Sequence, residues 1–379
     1  MLLSAGTLMT GTDLLRPGWV EIFGSTVVGI GAGPPPGNAD HHLGATATVV
    51  PGFVDTHVHG AGGRSFSEGA AAAKTAIDLH RGHGTTTLVA SLVTDSPSAL
   101  RRQVGELAPL VRSGLLAGLH LEGPWLSAIR CGAHDPALLR DPDLNELKEL
   151  LDLGAGTIAM ITVAPELPGA VPAIHSIVAA GVVAALGHTE ATYDQTCAAI
   201  AAGATVATHL FNAMRPIHHR EPGPIIALLD DARVTLEIIL DGVHIHPALY
   251  RQVSRCAGPQ RVSLVTDAMA AAGADDGSYR LGPLTAQVCG GVACIAGTTT
   301  IAGSTATMDR LFRFAVSHSE LDREAALLQA VQQSSVNPAR ALGLPDPVLR
   351  PTGPADLVVL DSALHVSAVL HQGSWVSSA

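Results

Sequence analysis

The middle of the chain alternates between two kinds of apolar run. Short, nearly continuous apolar runs of strand length occur at "VVPGFVDTHVH" (49–59), "TTTLVASLV" (85–93), "LLAGLHLEG" (115–123) and "TIAMITVAPE" (157–166). Four more follow at "VVAALGHT" (182–189), "ATVATHLF" (204–211), "VTLEIILDGVH" (234–244) and "RVSLVTDA" (261–268). Between them lie Ala/Leu-rich segments of helical spacing. Parallel strands buried on both faces carry near-continuous apolar runs of this kind. Eight such β units, each followed by a helix, predict an α/β fold closed as a (β/α)8 TIM-like barrel.

The two ends read differently. Residues 19–31 ("WVEIFGSTVVGIG") and the "GPPPG" turn at 33–37 suggest short strands, as do "ADLVVLD" (355–361), "HVSAVL" and "GSWV" near the other end. Neither end carries a helical period. The expectation is one small β-sandwich domain built from both chain ends, 1–49 and 346–379, split by a barrel spanning 50–345. Turn residues and short β runs at 273–297 predict a hairpin insertion after the eighth strand; "STATMDRLFRFAVSH" and "REAALLQAVQQSSVNPARALG" then predict helices.

Composition narrows the function. Apolar residues make up 47% of the 379 and aromatics only 3%, so the core must be built from aliphatic side chains. The formal net charge of -11 argues against nucleic acid as a partner, which would call for a basic face. Five cysteines without a CxxC pair do not form a disulfide framework. No apolar stretch is long enough to span a bilayer, and "MLLSAGTLMT" lacks the pattern of a signal peptide. No membrane association and a reducing, cytoplasmic setting are expected.

Polar residues recur where a barrel places its chemistry, at the C-terminal ends of strands. Within "PGFVDTHVHG", residues two apart point the same way, so Asp55, His57 and His59 share a face. Two neighbouring core histidines would explain that pair alone. However, strand three ends in Glu122, strand five in His188, strand six in His209, strand seven in Asp241 and His244, and strand eight in Asp267. Buried charges are costly unless paired or bound to metal. Imidazole with carboxylate suits Zn²⁺ and similar ions, so a divalent metal site at the barrel mouth is the better reading. The fourth strand contains no lysine, which sets aside barrel hydrolases whose two metals are bridged by a modified lysine there.

The motifs "PGFVDTHVHG", "HLEGPWLS", "GHTEATYDQ", "THLFNAMRPIHHREPG", "DGVHIHP", "LVTDAMAAAG" and "GTTTIAGSTATMD", in this order, resemble the N-acetylglucosamine-6-phosphate deacetylases of the amidohydrolase superfamily. The resemblance spans nearly the whole chain. It implies that Glu122, His188 and His209 hold one divalent ion, and that His57 and His59, with Asp267, contribute to a second position. Zn²⁺ is the expected ion, one or two per subunit, with Fe²⁺, Mn²⁺, Co²⁺ or Cd²⁺ as substitutes. The implied reaction removes the acetyl group of N-acetylglucosamine 6-phosphate. Asp267 would act as general base and then acid, and His134 would polarise the acetamide oxygen. The implied substrate contacts are Asn212, Ala213, His219, Arg220 and His244, with His134, Arg130 and Cys131 on the loop after strand three. Arg220 would reach the neighbouring site of a homodimer. In "IRCGAHD", Cys131 stands where the family carries a basic residue, so Arg130 is expected to take part of that role. Another metal amidohydrolase, including one acting on N-acetylgalactosamine 6-phosphate, is the competing reading; a non-catalytic metal-binding barrel is the third.

Overall fold

A computed structural model describes residues 1–376. The chain divides into two compact units. One comprises Met1–Asp55, Asp78–Thr87 and the chain from Thr307 onward; the other comprises Thr56–Ile77 and Leu88–Ala306.

In the first unit, the two chain ends pair into two sheets. A four-stranded sheet runs in the order Thr26–Ala32, Gly18–Phe23, Leu2–Ala5, His41–His42. A six-stranded sheet runs Ser374–Trp375, Val366–His371, Leu357–Leu360, Thr48–Pro51, Thr7–Met9, Leu14–Leu15. Alternate residues of both sheets share one core: Leu3 and Ala5, Val20 and Ile22, and Leu357 and Val359. That period of two is what a strand with one buried face requires. The expected sandwich built from both ends is present.

The barrel has eight parallel strands: β1 (Phe53–Val58), β2 (Thr85–Val93), β3 (Gly118–Glu122), β4 (Ile158–Val163), β5 (Val183–Leu186), β6 (Val206–Ala207), β7 (Thr235–Ile238) and β8 (Val262–Leu264). Each pairs with its sequence neighbour. A parallel bridge between Val58 and Ala268 brings the two ends together. A helix follows each strand in the chain, after the eighth strand only beyond three further short strands. One example, Pro97–Arg112, starts from Ser96, whose side chain accepts the Ala99 N–H, with Pro97 in the first turn. It buries Leu100, Gln103, Val104, Leu107 and Ala108, a stripe at helical spacing.

Several strands are shorter than the apolar runs suggested. β6 and β8 stop early because the chain turns into left-handed backbone at His209 (φ 29°) and Asp267 (φ 46°). The seventh strand ends at Ile238, so Asp241 and His244 lie in the turn beyond it and not on the strand itself. Within 273–297 the chain forms a three-stranded antiparallel sheet, Ser278–Leu281, Leu284–Cys289 and Val292–Ile295.

Candidate active site

β1 delivers His57 from its last turn of pleat and His59 just past its end. β3 ends on Glu122. His188, His209 and Asp267 follow β5, β6 and β8, and all three adopt left-handed φ values of 47°, 29° and 46°. Such backbone costs an L-residue on the order of 1–3 kcal/mol and concentrates where side chains must be aimed. Close approach to this backbone also demands glycine. A Cβ on Gly132 (φ 56°) would lie 3.0 Å from His188 Cε1, and one on Gly303 (φ 69°) would lie 2.8 Å from the Asp267 carbonyl oxygen. The loop around Gly303 also holds Asp267: Ser304 N–H donates to the Asp267 carbonyl at 2.8 Å, and Ser304 Oγ donates to the Thr266 carbonyl at 2.5 Å.

These elements bring six side chains onto two adjoining points. Glu122 Oε1 lies 3.0 Å from His188 Nε2 and 2.9 Å from His209 Nε2, and the two nitrogens are 3.1 Å apart. On its other side, Glu122 Oε2 lies 3.5 Å from His57 Nε2 and 3.2 Å from His59 Nε2. Asp267 Oδ1 is 3.4 and 3.1 Å from the same two nitrogens, which are 3.2 Å from each other. All six residues are buried. Ligands about 2.1 Å from a tetrahedral Zn²⁺ sit roughly 3.3–3.5 Å apart, so both groups match the edges of such a shell with little adjustment. Imidazole nitrogens facing one another beside buried carboxylates are the donor set that a divalent cation would join.

Neighbouring groups orient these rings. His188 Nδ1–H donates to the Arg130 carbonyl at 3.0 Å, leaving Nε2 with its lone pair toward Glu122 and His209. His57 Nδ1 faces Glu237 Oε2 at 3.3 Å. His134 is different. Its Nδ1 accepts the Thr94 N–H at 3.2 Å, so the proton of the neutral ring sits on Nε2, which lies 3.4 Å from Glu122 Oε2. A nitrogen carrying its proton donates hydrogen bonds and does not ligate a metal. His134 is thus a donor aimed into the site.

The protonation states follow from burial and charge. Burial holds the His134 pKa down at about 4, against the pull of Glu122, so this ring is neutral near pH 7. Burial would also depress His59, but hydrogen bonds and charge from Asp267 and Glu122 overcome it and raise its pKa to about 9. His57 is raised by Glu122 and Asp267 in the same way, against burial. Burial would raise Glu122 and Asp267, yet the adjacent histidines, His57 foremost, hold both carboxyls well below the ordinary range. Both are ionised at neutral pH.

A cavity of about 320 Å³ opens onto this cluster. His59, Glu122, His134, His188, His209 and Asp267 form its floor, and Asn212, Ala213 and His244 its wall. His244 Nδ1 is held at 2.8 Å by Asp241 Oδ2. The other expected substrate contacts are not brought into this cavity. Arg130 Nε pairs with Glu190 Oε2 at 2.5 Å, Cys131 is half-buried outside the lining, and His219 and Arg220 are exposed, with Arg220 Nη1 2.8 Å from His219 Nε2. No lysine or arginine is among the described residues lining the cavity.

The sequence reading did not single out several contributors. Thr299, Thr300 and Ile301, within the quoted "GTTTIAGS", line the cavity, as does Leu281 from the antiparallel sheet. His120, buried beneath the cluster, joins Ser91 Oγ at 2.9 Å to Thr162 Oγ1 at 2.8 Å. Glu237 was also missed, although a lone carboxylate inside the apolar "VTLEIIL" is a legible anomaly.

Comparison with known proteins gives the family. Residues 48–376 match the model of the amidohydrolase family. The N-acetylgalactosamine-6-phosphate deacetylase of Escherichia coli O157:H7 is 36% identical over 336 residues, covering 87% of this chain and 88% of that protein. The N-acetylglucosamine-6-phosphate deacetylase of Danio rerio is 36% identical over 360 residues, covering 90% and 87%. A solved structure of a mutant N-acetyl-D-glucosamine-6-phosphate deacetylase from Mycobacterium smegmatis, in complex with N-acetyl-D-glucosamine-6-phosphate, superposes with a TM-score of 0.98 at 62% identity over 99% of each chain. With its strand-end histidines and carboxylates so arranged, the chain belongs to the amidohydrolase family, among the N-acetylglucosamine-6-phosphate deacetylases.

Proposed function

We propose that this protein hydrolyses the acetamide of N-acetyl-D-glucosamine 6-phosphate to D-glucosamine 6-phosphate and acetate, as a cytoplasmic enzyme of amino-sugar recycling. The observation that carries the reading is Glu122, which faces two pairs of imidazole nitrogens at once, beside the ionised Asp267 and the neutral donor His134.

Glu122, His188 and His209 would hold one divalent ion, and His57, His59 and Asp267 would contribute to a second; Zn²⁺ suits this donor set. When bound, such an ion acidifies water and polarises a carbonyl. Asp267, ionised at neutral pH, takes the proton of the attacking water as the C–O bond forms. It passes that proton to the nitrogen as the C–N bond breaks, so the amine departs neutral. His134 donates its Nε2–H to the acetamide oxygen as negative charge develops there. His244, oriented by Asp241, and the Asn212–Ala213 segment meet the sugar.

The phosphate calls for the donors of lysine or arginine, and the described cavity lining supplies neither. Arg220, exposed on the loop that follows Asn212, supports a homodimer in which it completes the partner's site. Arg130 and Cys131 belong to the loop over the substrate, with Arg130 released from Glu190 to serve the phosphate.

The test is acetate release from a panel: N-acetylglucosamine with and without its 6-phosphate, and the 6-phosphates of N-acetylgalactosamine and N-acetylmannosamine. The reading expects the highest kcat/KM on N-acetylglucosamine 6-phosphate. Preference for the galactosamine epimer would instead align this chain with its Escherichia coli relative. Absence of activity on all phosphosugars would overturn the reading.

A further inference from the structure

Glu237 is the one ionisable residue of β7; it is the third residue of the strand and is 2% exposed. A carboxylate there needs partners. It has two, adjacent on β1: Thr56 Oγ1 donates to Oε1 at 3.2 Å, and His57 Nδ1 meets Oε2 at 3.3 Å. Glu237 thus engages the nitrogen of His57 that faces away from the cluster. The other nitrogen, Nε2, is the one that lies 3.2 to 3.5 Å from His59, Glu122 and Asp267.

Two further contacts hold that ring and the backbone beside it. The edge of His120 packs on it, with centroids 4.6 Å apart and planes at 82°. Ser91 Oγ, itself bonded to His120, also accepts the Val58 N–H at 3.1 Å. No comparable carboxylate meets His59, whose Nδ1 has no hydrogen-bond partner among the described groups. The two histidines of the pair are therefore held unequally, and the hold on His57 comes from Glu237.

Resting on the metal-dependent reading above, we infer that Glu237 is a positioning residue for the His57/His59 ion. By accepting the Nδ1–H of His57 it fixes the ring and its tautomer, so that the Nε2 lone pair is directed at the ion. Thr56 holds the carboxylate in register for that task. Partners of this kind typically affect metal affinity about 10–100-fold. The predicted effect falls on the His57/His59 position, because the Glu237 carboxylate meets His57 and Thr56 on β1.

The test uses the full chain, stripped and titrated with Co²⁺ and with Zn²⁺, following visible absorption and elemental content. In the wild type, two ions are expected. Glu237→Met, similar in length but without an acceptor, should weaken one of them about 10–100-fold and leave the other unchanged. Glu237→Gln retains an acceptor oxygen and should weaken the same ion less, as should Thr56→Val. Thermal melts of the stripped proteins identify any variant that fails to fold; if Glu237→Met does so, Glu237→Gln and Thr56→Val decide. Wild-type affinities for both ions in folded variants would overturn the role of Glu237 and leave the metal reading intact. Equal weakening of both ions would reduce Glu237 to general support of the barrel and overturn the inference. If the wild type takes one ion, His57→Asn decides. An ion retained by that variant removes His57 from the ligands, and the second position and this inference fall together. An ion lost makes Glu237→Met decisive for the single site.

Discussion

The floor of the cavity and the loops above it are built on different principles. On the floor, six residues separated by up to 208 positions in the chain, from His59 to Asp267, each come within 3.5 Å of a neighbour in the cluster and are buried. On the loops, Arg130 and Cys131 stand four and three residues before His134, and His219 and Arg220 ten and eleven after His209, yet none of these four lines the same cavity. Convergence on the floor follows from the barrel, which aims the end of every strand at one point. Loop residues have no such constraint; Arg130 pairs with Glu190, and Arg220 is left exposed beside His219. Ligand geometry is thus a property of the fold, whereas phosphate recognition needs something outside this cavity lining.

The largest effect that would sharpen this contrast belongs to the floor. Asp267→Asn preserves size and one oxygen but removes the proton acceptor. A fall in kcat of about 10²–10⁴-fold is expected, with KM little altered because the loops are untouched. A kcat within tenfold of wild type would reduce Asp267 to a ligand and reopen the identity of the base.

Arg220→Ala probes the loops. Loss of a charge-assisted contact to phosphate should raise KM for the 6-phosphorylated sugar about 10–100-fold while leaving kcat near wild type. The unphosphorylated sugar should be indifferent to the change. Heterodimers of Arg220→Ala with Asp267→Asn subunits should recover activity at one site. Equal losses on both sugars would make Arg220 a structural residue and erase the distinction between floor and loop.

How much of this was legible in the sequence divides along the same line. The eight strand ends were visible because buried parallel strands leave continuous apolar runs, and a His or carboxylate ending one stands out against them. Strand lengths were overestimated at β6 and β8 because left-handed turns at His209 and Asp267 leave no mark in an apolar pattern. Asp241 and His244 were placed on a strand for the same reason, since "IILDGVH" continues the apolar run past the point where the chain turns. Glu237 and His120 lie within strands, and their roles depend on cross-strand register, which a single sequence does not specify. The loop residues were named through family resemblance; nothing in their local pattern tells whether they face their own cavity or a partner's.

A smaller, graded effect separates the floor by its titration. The folded protein holds His59 protonated up to about pH 9, so an ion binding there must displace that proton. Affinity for this ion should therefore rise as pH increases from 7 to 9, by up to about tenfold per unit for each proton released. Titration calorimetry in buffers of different ionisation enthalpy counts the protons. The stability of the stripped protein should move in the opposite sense. A histidine whose pKa is raised from 6.5 in the unfolded chain to about 9 contributes stability fully below pH 6.5 and loses it as pH rises through 9. An affinity independent of pH would contradict the assigned protonation of the pair.

The central claim is that Glu122 joins both halves of a metal site on which deacetylation depends. Glu122→Gln, with ion content and acetate release from N-acetylglucosamine 6-phosphate measured on the same sample, tests it most directly. The account predicts loss of the ion shared with His188 and His209, together with loss of acetate release, in a protein that still melts cooperatively. Wild-type metal content, or undiminished acetate release from a sample shown to lack the ion, would contradict it.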